Sequence, residues 1–106
     1  MLVRFPFTDL QGSKQRPALI VSADSYNRRG ADVIVAAITS ARVENPGPFD
    51  YPLRDWKSSG LLHPSVVRVG KVVTLDRSII HRTLGAVAAD DLVQIEGRLR
   101  DALALA

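Results

Sequence analysis

The chain has 106 residues, no cysteine, two histidines and a formal net charge of +3. We expect one domain spanning residues 1–106, because a chain of this length can bury enough surface to fold without disulfides or a structural metal. The missing cysteines exclude a disulfide framework, a zinc–thiolate site and a cysteine nucleophile, so we expect chemistry without a metal or other cofactor. The mild positive charge fits an anionic partner without identifying it.

Apolar residues occur in short runs along the chain. None approaches the length that is needed to span a bilayer, and the first residues lack the pattern of a signal peptide. We therefore predict a cytoplasmic protein with no membrane partner.

Short segments along the chain have the composition of β-strands and are bounded by turn-forming residues. The first alternates, with Val3, Phe5 and Phe7 on one side, and the second is a continuous apolar run after Pro17. A polar loop is predicted between them, over residues 8–15. Many short strands with short gaps predict a mainly β fold, a small barrel of about six or seven strands. The predicted strands are residues 2–7, 17–22, 33–39, 49–53, 65–69, 71–74 and 79–87.

The hydrophobic period changes near the end of the chain. Apolar residues recur at three- and four-residue steps over residues 90–104, which predicts a C-terminal amphipathic α-helix. Short helical turns are also predicted over residues 25–29 and 55–59. The apolar face of the C-terminal helix comprises Leu92, Ile95, Leu99, Ala102 and Leu103.

Arg16 stands between the predicted polar loop and the second strand. The following Pro17 restricts Arg16 to extended backbone geometry. A guanidinium fixed in this way can present two parallel hydrogen bonds to a phosphate. The alternative explanation is a solvated loop arginine.

Thr39 ends the most apolar run of the chain, residues 33–38. A hydroxyl at the open end of a buried strand can hydrogen-bond a phosphate or a ribose 2′-hydroxyl. The alternative is that Thr39 and Ser40 only end the strand or cap a turn. Arg68 alternates with Val67 and Val69, so it lies away from whatever those valines bury.

Several blocks follow one another along nearly the whole chain. They are VRFPFTD at residues 3–9, GSKQRPAL at 12–19, VAAITS at 35–40, Trp56 with GLL at 60–62, PSVVRV at 64–69, TLDRS at 74–78 and LG at 84–85. In this order and spacing they resemble the MazF/PemK family of toxin endoribonucleases. The resemblance implies a small SH3-like β-barrel with a C-terminal helix, usually assembled as a homodimer.

The resemblance also implies a function. Members are toxins of type II toxin–antitoxin systems, sequence-selective endoribonucleases that cleave single-stranded RNA, including mRNA, without a metal, through attack of a 2′-hydroxyl on the adjacent phosphate. Arg16 and Thr39 match the family's catalytic residues, and Arg16 would stabilise the phosphate charge and serve in proton transfer to the leaving group. Lys14, Ser40 and Arg68 are expected to bind substrate. The expected partners are single-stranded RNA, a cognate antitoxin with a disordered segment, and a second copy of the chain.

One position departs from the family pattern. Some members carry an acidic residue two positions after Arg68, where this chain has Gly70. The proton acceptor therefore stays open among Asp9, Asp76, His63 and a water molecule. Two other functions also stay open. One is a catalytically degenerate member that only binds RNA or antitoxin, which Gly70 and the early start of the first strand favour. The other is a CcdB-like gyrase inhibitor, which acts by protein contact and needs no phosphate-stabilising arginine.

Overall fold

The structure is a computed structural model that describes residues 2–9, 12–80 and 82–105, without the side chains of residues 4–9 and 12–15. This part of the chain forms six strands, two helices and one 3₁₀ turn. In chain order they are β1 Leu2–Asp9, β2 Gly12–Ile20, α1 Asp24–Arg29, β3 Asp32–Thr39, β4 Asp50–Pro52, β5 Val66–Asp76, a 3₁₀ turn Arg77–Ile79, β6 Arg82–Gly85 and α2 Ala89–Ala102.

The strands form one antiparallel sheet in the order β4-β5-β3-β2-β1-β6. The mainly β fold and the C-terminal helix are therefore confirmed. Among the described strand pairings the sheet stays open, with β4 and β6 at its two ends, instead of closing into a complete barrel. The predicted short helix at residues 25–29 is present as α1.

The first two strands are longer than the sequence suggested. They pair continuously from Leu2 opposite Leu19 to Asp9 opposite Gly12. The predicted polar loop over residues 8–15 is therefore wrong at residues 8–9 and 12–15, and its residues 10–11 lie outside the described residues. The apolar end of the hairpin sets the register, and backbone pairing can then continue through polar residues that need no apolar partner.

The predicted strands at residues 65–69 and 71–74 are one strand, β5. Ala36 pairs with Val72, but the next residue, Ala37, pairs with Arg68. Residues 69–71 of β5 therefore bulge out of the ladder, and a bulge of this kind bends and twists a strand. The break that the sequence suggested at Gly70 is a bend within a continuous strand.

The last predicted strand is shorter than expected. The chain first makes the 3₁₀ turn, in which the Asp76 carboxylate accepts a hydrogen bond of 2.9 Å from the Ser78 backbone N–H. Only residues 82–85 then form β6, which pairs with β1. His81, which the sequence placed inside this strand, lies outside the described residues.

The sheet separates two groups of buried side chains. The larger group includes Leu2, Leu19, Ile38 and Val67, and α2 covers it through Ile95, which is fully buried. The smaller group contains Ala18, Val33 and Val35. Neither α1 nor α2, the helices of the described residues, has the length and apolar composition that a membrane crossing requires.

The buried face of α2 differs from the predicted one. Ile95 and Leu99 face the core, but Leu92 and Leu103 are 40% and 62% exposed. Asp91 takes the position one turn before Ile95 and is itself buried. The helix is rotated from the predicted orientation because this carboxylate has hydrogen-bond partners inside, a feature that hydrophobic periodicity does not detect.

Candidate functional site

Two adjoining clefts open beside the end of β3. Their volumes are about 320 Å³ and about 200 Å³, and both are lined by Arg16, Pro17, Ile38 and Thr39. The first is completed by Ser40, Ala41, Gly60, Leu61, Leu62, His63 and Ser65. The second is completed by Ala37, Arg68 and Lys71.

The clefts arise because β2 and β3 part at a proline. The backbone N–H of Val21, the residue after β2, donates to the carbonyl oxygen of Ile34 in β3 at 2.9 Å. In an antiparallel pair the N–H groups of every second residue point towards the same neighbouring strand, so the N–H groups of residues 19 and 17 would also point towards β3. Pro17 thus stands where a backbone N–H would have reached Ile38. Proline has no N–H, so the ladder ends here.

Arg16 and Thr39 face the gap that this interruption leaves. Ala18 pairs with Ala37, and the same register continued by two residues would set Arg16 opposite Thr39. Arg16 is half-buried and belongs to β2, where it is paired with Phe5 of β1. The predicted position of Arg16 at a loop–strand boundary is therefore wrong, because the hairpin continues beyond it, but the rigid extended backbone is present.

Thr39 ends β3, where it pairs with Val66. Its Oγ1 accepts a hydrogen bond of 3.1 Å from the backbone N–H of Ala41. The strand-ending role that the sequence offered as an alternative is therefore real. That bond fixes the oxygen and leaves the hydroxyl hydrogen as a donor, so Thr39 can also hydrogen-bond a ligand in the cleft.

Arg68 and Lys71 bring further positive charge to the smaller cleft. Arg68 is half-buried between the buried Val67 and Val69, as alternation predicted. Its Nε lies 3.7 Å from Oδ1 of the buried Asp50, which is beyond hydrogen-bond length. Lys71 was not selected from the sequence, because its place in the cleft depends on the β5 bulge.

Asp50 is an ionised carboxylate behind this wall. Burial alone would raise its pKa, but the Gly47 backbone N–H and the Arg42 guanidinium, with further attraction from Arg68, lower the pKa below the ordinary value of 3.8. Arg42 Nε and Gly47 N donate to Oδ2 at 2.8 and 2.7 Å. Asp50 therefore offsets part of the positive charge beside the cleft.

His63 lines the larger cleft together with Arg16 and Thr39. Its backbone carbonyl accepts a hydrogen bond of 2.9 Å from Ser65 Oγ. Asp76, another of the acceptor candidates, is exposed and lines neither cleft. Hydrogen bonds from the Ser78 N–H and hydroxyl, more than the nearby Arg77 charge, lower its pKa.

The remaining positions that the sequence singled out are Ser40, Lys14, Asp9 and Gly70. Ser40 lines the larger cleft next to Thr39. The side chains of Lys14 and of Asp9 lie outside the described residues. At Gly70 a Cβ would meet only Phe49 Cβ at 3.8 Å, so the fold has room at this position for the acidic side chain that the sequence analysis noted as missing.

The wall that carries His63 is fixed by two glycines. Gly60 has φ +95, and a Cβ there would lie 2.3 Å from the carbonyl oxygen of Leu84 in β6. A Cβ on Gly85 would lie 2.4 Å from the carbonyl oxygen of Ser59. Only glycine allows these two backbones to approach so closely. The predicted turn over residues 55–59 leads into this contact, with Ser59 N donating to Asp55 O at 3.3 Å.

The sequence of this chain is similar to a known protein family and to individual known proteins. The family described as "PemK-like, MazF-like toxin of type II toxin-antitoxin system" matches residues 1–103. The endoribonuclease MazF2 of Mycobacterium bovis and the endoribonuclease MazF6 of Mycobacterium tuberculosis are each 35% identical to the chain over 103 residues, which is 94% of this chain and 88% of each relative.

Solved structures give the same result. A mycobacterial endoribonuclease in complex with its cognate antitoxin has a TM-score of 0.81 and 28% identity, covering 99% of this chain and 92% of that one. A MazE–MazF complex from Deinococcus radiodurans has a TM-score of 0.79 and 28% identity, covering 99% and 94%. The chain belongs to the family of PemK-like, MazF-like toxins of type II toxin–antitoxin systems.

Proposed function

We propose that the chain is the toxin of a type II toxin–antitoxin pair and cleaves single-stranded RNA without a metal, with Arg16 and Thr39 as its catalytic residues. The observation that carries this proposal is the register of β2 and β3. It sets Arg16 and Thr39 on opposite sides of a gap that Pro17 opens, and both line the two clefts. The relatives' names favour the nuclease over a gyrase-directed inhibitor.

The reaction uses the RNA's own nucleophile. The 2′-oxygen attacks the adjacent phosphorus, the bond from phosphorus to the 5′-oxygen breaks, and the products are a 2′,3′-cyclic phosphate and a 5′-hydroxyl. This transesterification is not a redox reaction and consumes no co-reactant. The added negative charge falls on the non-bridging oxygens, where preorganised hydrogen-bond donors lower the barrier.

Each cleft residue has a proposed task. Arg16 donates paired hydrogen bonds to the non-bridging oxygens, and Thr39 directs its free hydroxyl hydrogen to the same phosphate. His63, which lines the same cleft, is the proposed acceptor of the 2′-hydroxyl proton. The leaving 5′-oxygen takes its proton from water or from Arg16.

Neighbouring residues are proposed to hold the RNA strand. Ser40 lies beside Thr39, while Arg68 and Lys71 line the smaller cleft. Positive side chains at these places attract the phosphates on either side of the cleaved one, a contact that positions the strand without reading its sequence. Lys14 is proposed to contribute in the same way.

Two protein partners belong to the proposal. Family membership and the antitoxin complexes among similar structures support a cognate antitoxin as partner. A second copy of the chain is proposed as well. Exposed apolar side chains support it, because Val72 and Val73 of β5 are each 38% exposed and Ile79 is 36% exposed. The molar mass from light scattering tests this assembly.

The decisive experiment uses matched RNA substrates in excess EDTA. One is a single-stranded RNA that the protein cleaves, and the other has a single 2′-deoxynucleotide on the 5′ side of the cut. We expect cleavage of the first, with a cyclic phosphate or its 3′-phosphate hydrolysis product, and no cleavage of the second at that bond. Cleavage of both would exclude the 2′-hydroxyl as nucleophile. A folded protein for which no cleaved RNA can be found would support a member that only binds.

A further inference from the structure

A third cleft adjoins the larger one. Its volume is about 490 Å³, and it shares Ser40, Ala41 and His63 with the larger cleft. Because the two clefts have walls in common, a nucleotide next to a phosphate bound at Thr39 would lie beside the third cleft. The residues that the third cleft adds are Val43, Glu44 and Pro64.

The loop that carries Glu44 is held in place by a buried carboxylate. Asp50 is 6% exposed, and it accepts hydrogen bonds from Arg42 before Glu44 and from Gly47 after it. A Cβ at Gly47 would lie 2.9 Å from Arg42 Nη2 and 3.3 Å from Asp50 Oδ2. The segment on both sides of Glu44 is thus anchored to β4, so this wall of the cleft exists before any ligand binds.

The chemistry of the wall suits a nucleobase and not a phosphate. A carboxylate such as that of Glu44 repels phosphates but accepts hydrogen bonds from amino groups. Cytosine, adenine and guanine have an amino group on the Watson–Crick edge, which is exposed in single-stranded RNA. Uracil instead presents two carbonyl oxygens around its single N–H. Val43 and Pro64 supply apolar surface for the flat face of a base.

We propose that the third cleft is a nucleobase subsite, in which Glu44 selects a base with an amino group on its Watson–Crick edge over uracil. This inference rests on the proposed ribonuclease function. His63 lies in the wall between the subsite and the larger cleft. The selected base is therefore adjacent to the cleaved phosphate, and the direction of the bound strand decides whether it lies on the 5′ or the 3′ side.

The test compares the cleavage patterns of three proteins on a single-stranded RNA with a randomised segment, with the cut ends sequenced. In the parent, one position next to the cut should be depleted of uracil. In Glu44→Gln, whose amide can also donate to a carbonyl, the preference at that position should fall roughly tenfold, while the other positions keep their pattern. Glu96→Gln makes the same charge change on an exposed position of α2 and should match the parent.

A second variant tests the same subsite by disturbing the loop that carries Glu44. Gly47→Ala forces Arg42 or Asp50 to move, so it should broaden the preference at the same position. The subsite is overturned if Glu44→Gln keeps the parent's preferences, if it changes all positions alike, or if Glu96→Gln has the same effect. In each of those cases parent cleavage leaves the proposed function intact. A parent that cleaves no RNA would overturn both.

Discussion

The hydroxyl of Tyr51 donates a hydrogen bond of 2.6 Å to Oδ1 of Asp91, and both side chains are buried between β4 and α2. Asp91 also accepts from the backbone N–H groups of Arg54 and Asp55, at 3.2 and 3.1 Å. One carboxylate thus attaches α2 to the edge strand β4 and to the start of the segment that carries His63.

Replacement of Asp91 by alanine should strongly destabilise the fold. It leaves three buried or half-buried donors without an acceptor, and each such loss costs about 1–3 kcal/mol, so we expect the free energy of unfolding to fall by about 3 kcal/mol or more. Asp90 is the matched control, since it lies in the same helical turn but is exposed. Urea unfolding of Asp91→Ala and Asp90→Ala measures the difference. Equal losses in the two variants would contradict a structural role for the buried carboxylate.

Tyr51 should make stability depend on alkaline pH. Burial, helped by the hydrogen bond to Asp91 and its negative charge, raises the pKa of Tyr51 from 10.0 to about 12. The folded state therefore favours the protonated phenol. Its contribution is complete below the unfolded pKa and is lost as pH rises towards the folded one. The loss between those limits is about 2–3 kcal/mol.

The comparison for that prediction is Tyr51→Phe, which has no phenol to titrate. Urea unfolding of parent and variant at several pH values between 8 and 11.5 gives two stability curves, with these pH values set by the ordinary tyrosine pKa of about 10. The gap between the curves should narrow as the pH rises above that value. A constant gap across the range would show that Tyr51 does not titrate as expected.

Gly60→Ala should disrupt the wall of the larger cleft. The new Cβ would lie 2.3 Å from the carbonyl oxygen of Leu84, at a φ of +95 that side chains rarely adopt. We expect a loss of about 3 kcal/mol or more, in the range of overpacking combined with backbone strain. Gly97→Ala is the control, because a Cβ at Gly97 in α2 meets nothing within 4 Å.

Thermal unfolding separates these two glycines. Gly97→Ala should raise stability by about 0.5–1 kcal/mol through helix propensity, while Gly60→Ala lowers it. A Gly60→Ala protein as stable as the parent would mean that the close approach to β6 is not required.

His63→Gln tests the proposed proton acceptor. The amide of glutamine cannot accept the proton of the 2′-hydroxyl, so we expect the variant to cleave about 10²-fold more slowly than the parent, a typical general-base contribution. Single-turnover cleavage of one RNA by the two proteins measures the difference. Cleavage by the variant at the parent's rate would assign the proton transfer to another group.

Part of this architecture was predictable from the sequence, and the limits have physical causes. Strand composition and helical periodicity depend on near neighbours, so β3, α1 and α2 were predicted nearly in full. The polar residues 12–15 were predicted as loop because their strand pairing depends on a register set at the other end of the hairpin. The buried role of Asp91 was not predicted, since its partners are 36 or more residues away along the chain.

The candidate site shows the same division. Arg16, Thr39, Ser40 and Arg68 were selected from the sequence, and the structure places all four along the two clefts. Lys71 was not selected, because it reaches its cleft through a bulge that no local pattern reveals. The reason why the clefts open, a proline without an N–H opposite Ile38, required the register of β2 and β3.

The catalytic role of Arg16 can be measured by comparing Arg16→Ala with Arg28→Ala, an equal loss of charge at an exposed position of α1 that lines neither cleft. Single-turnover cleavage of one RNA in EDTA gives the rate of the chemical step, and titration of a 2′-deoxy analogue gives the affinity. Arg16→Ala should cleave about 10²- to 10³-fold more slowly with a much smaller change in affinity, while Arg28→Ala should match the parent. Cleavage by Arg16→Ala at the parent's rate would contradict the assignment of Arg16 as the catalytic phosphate-binding residue.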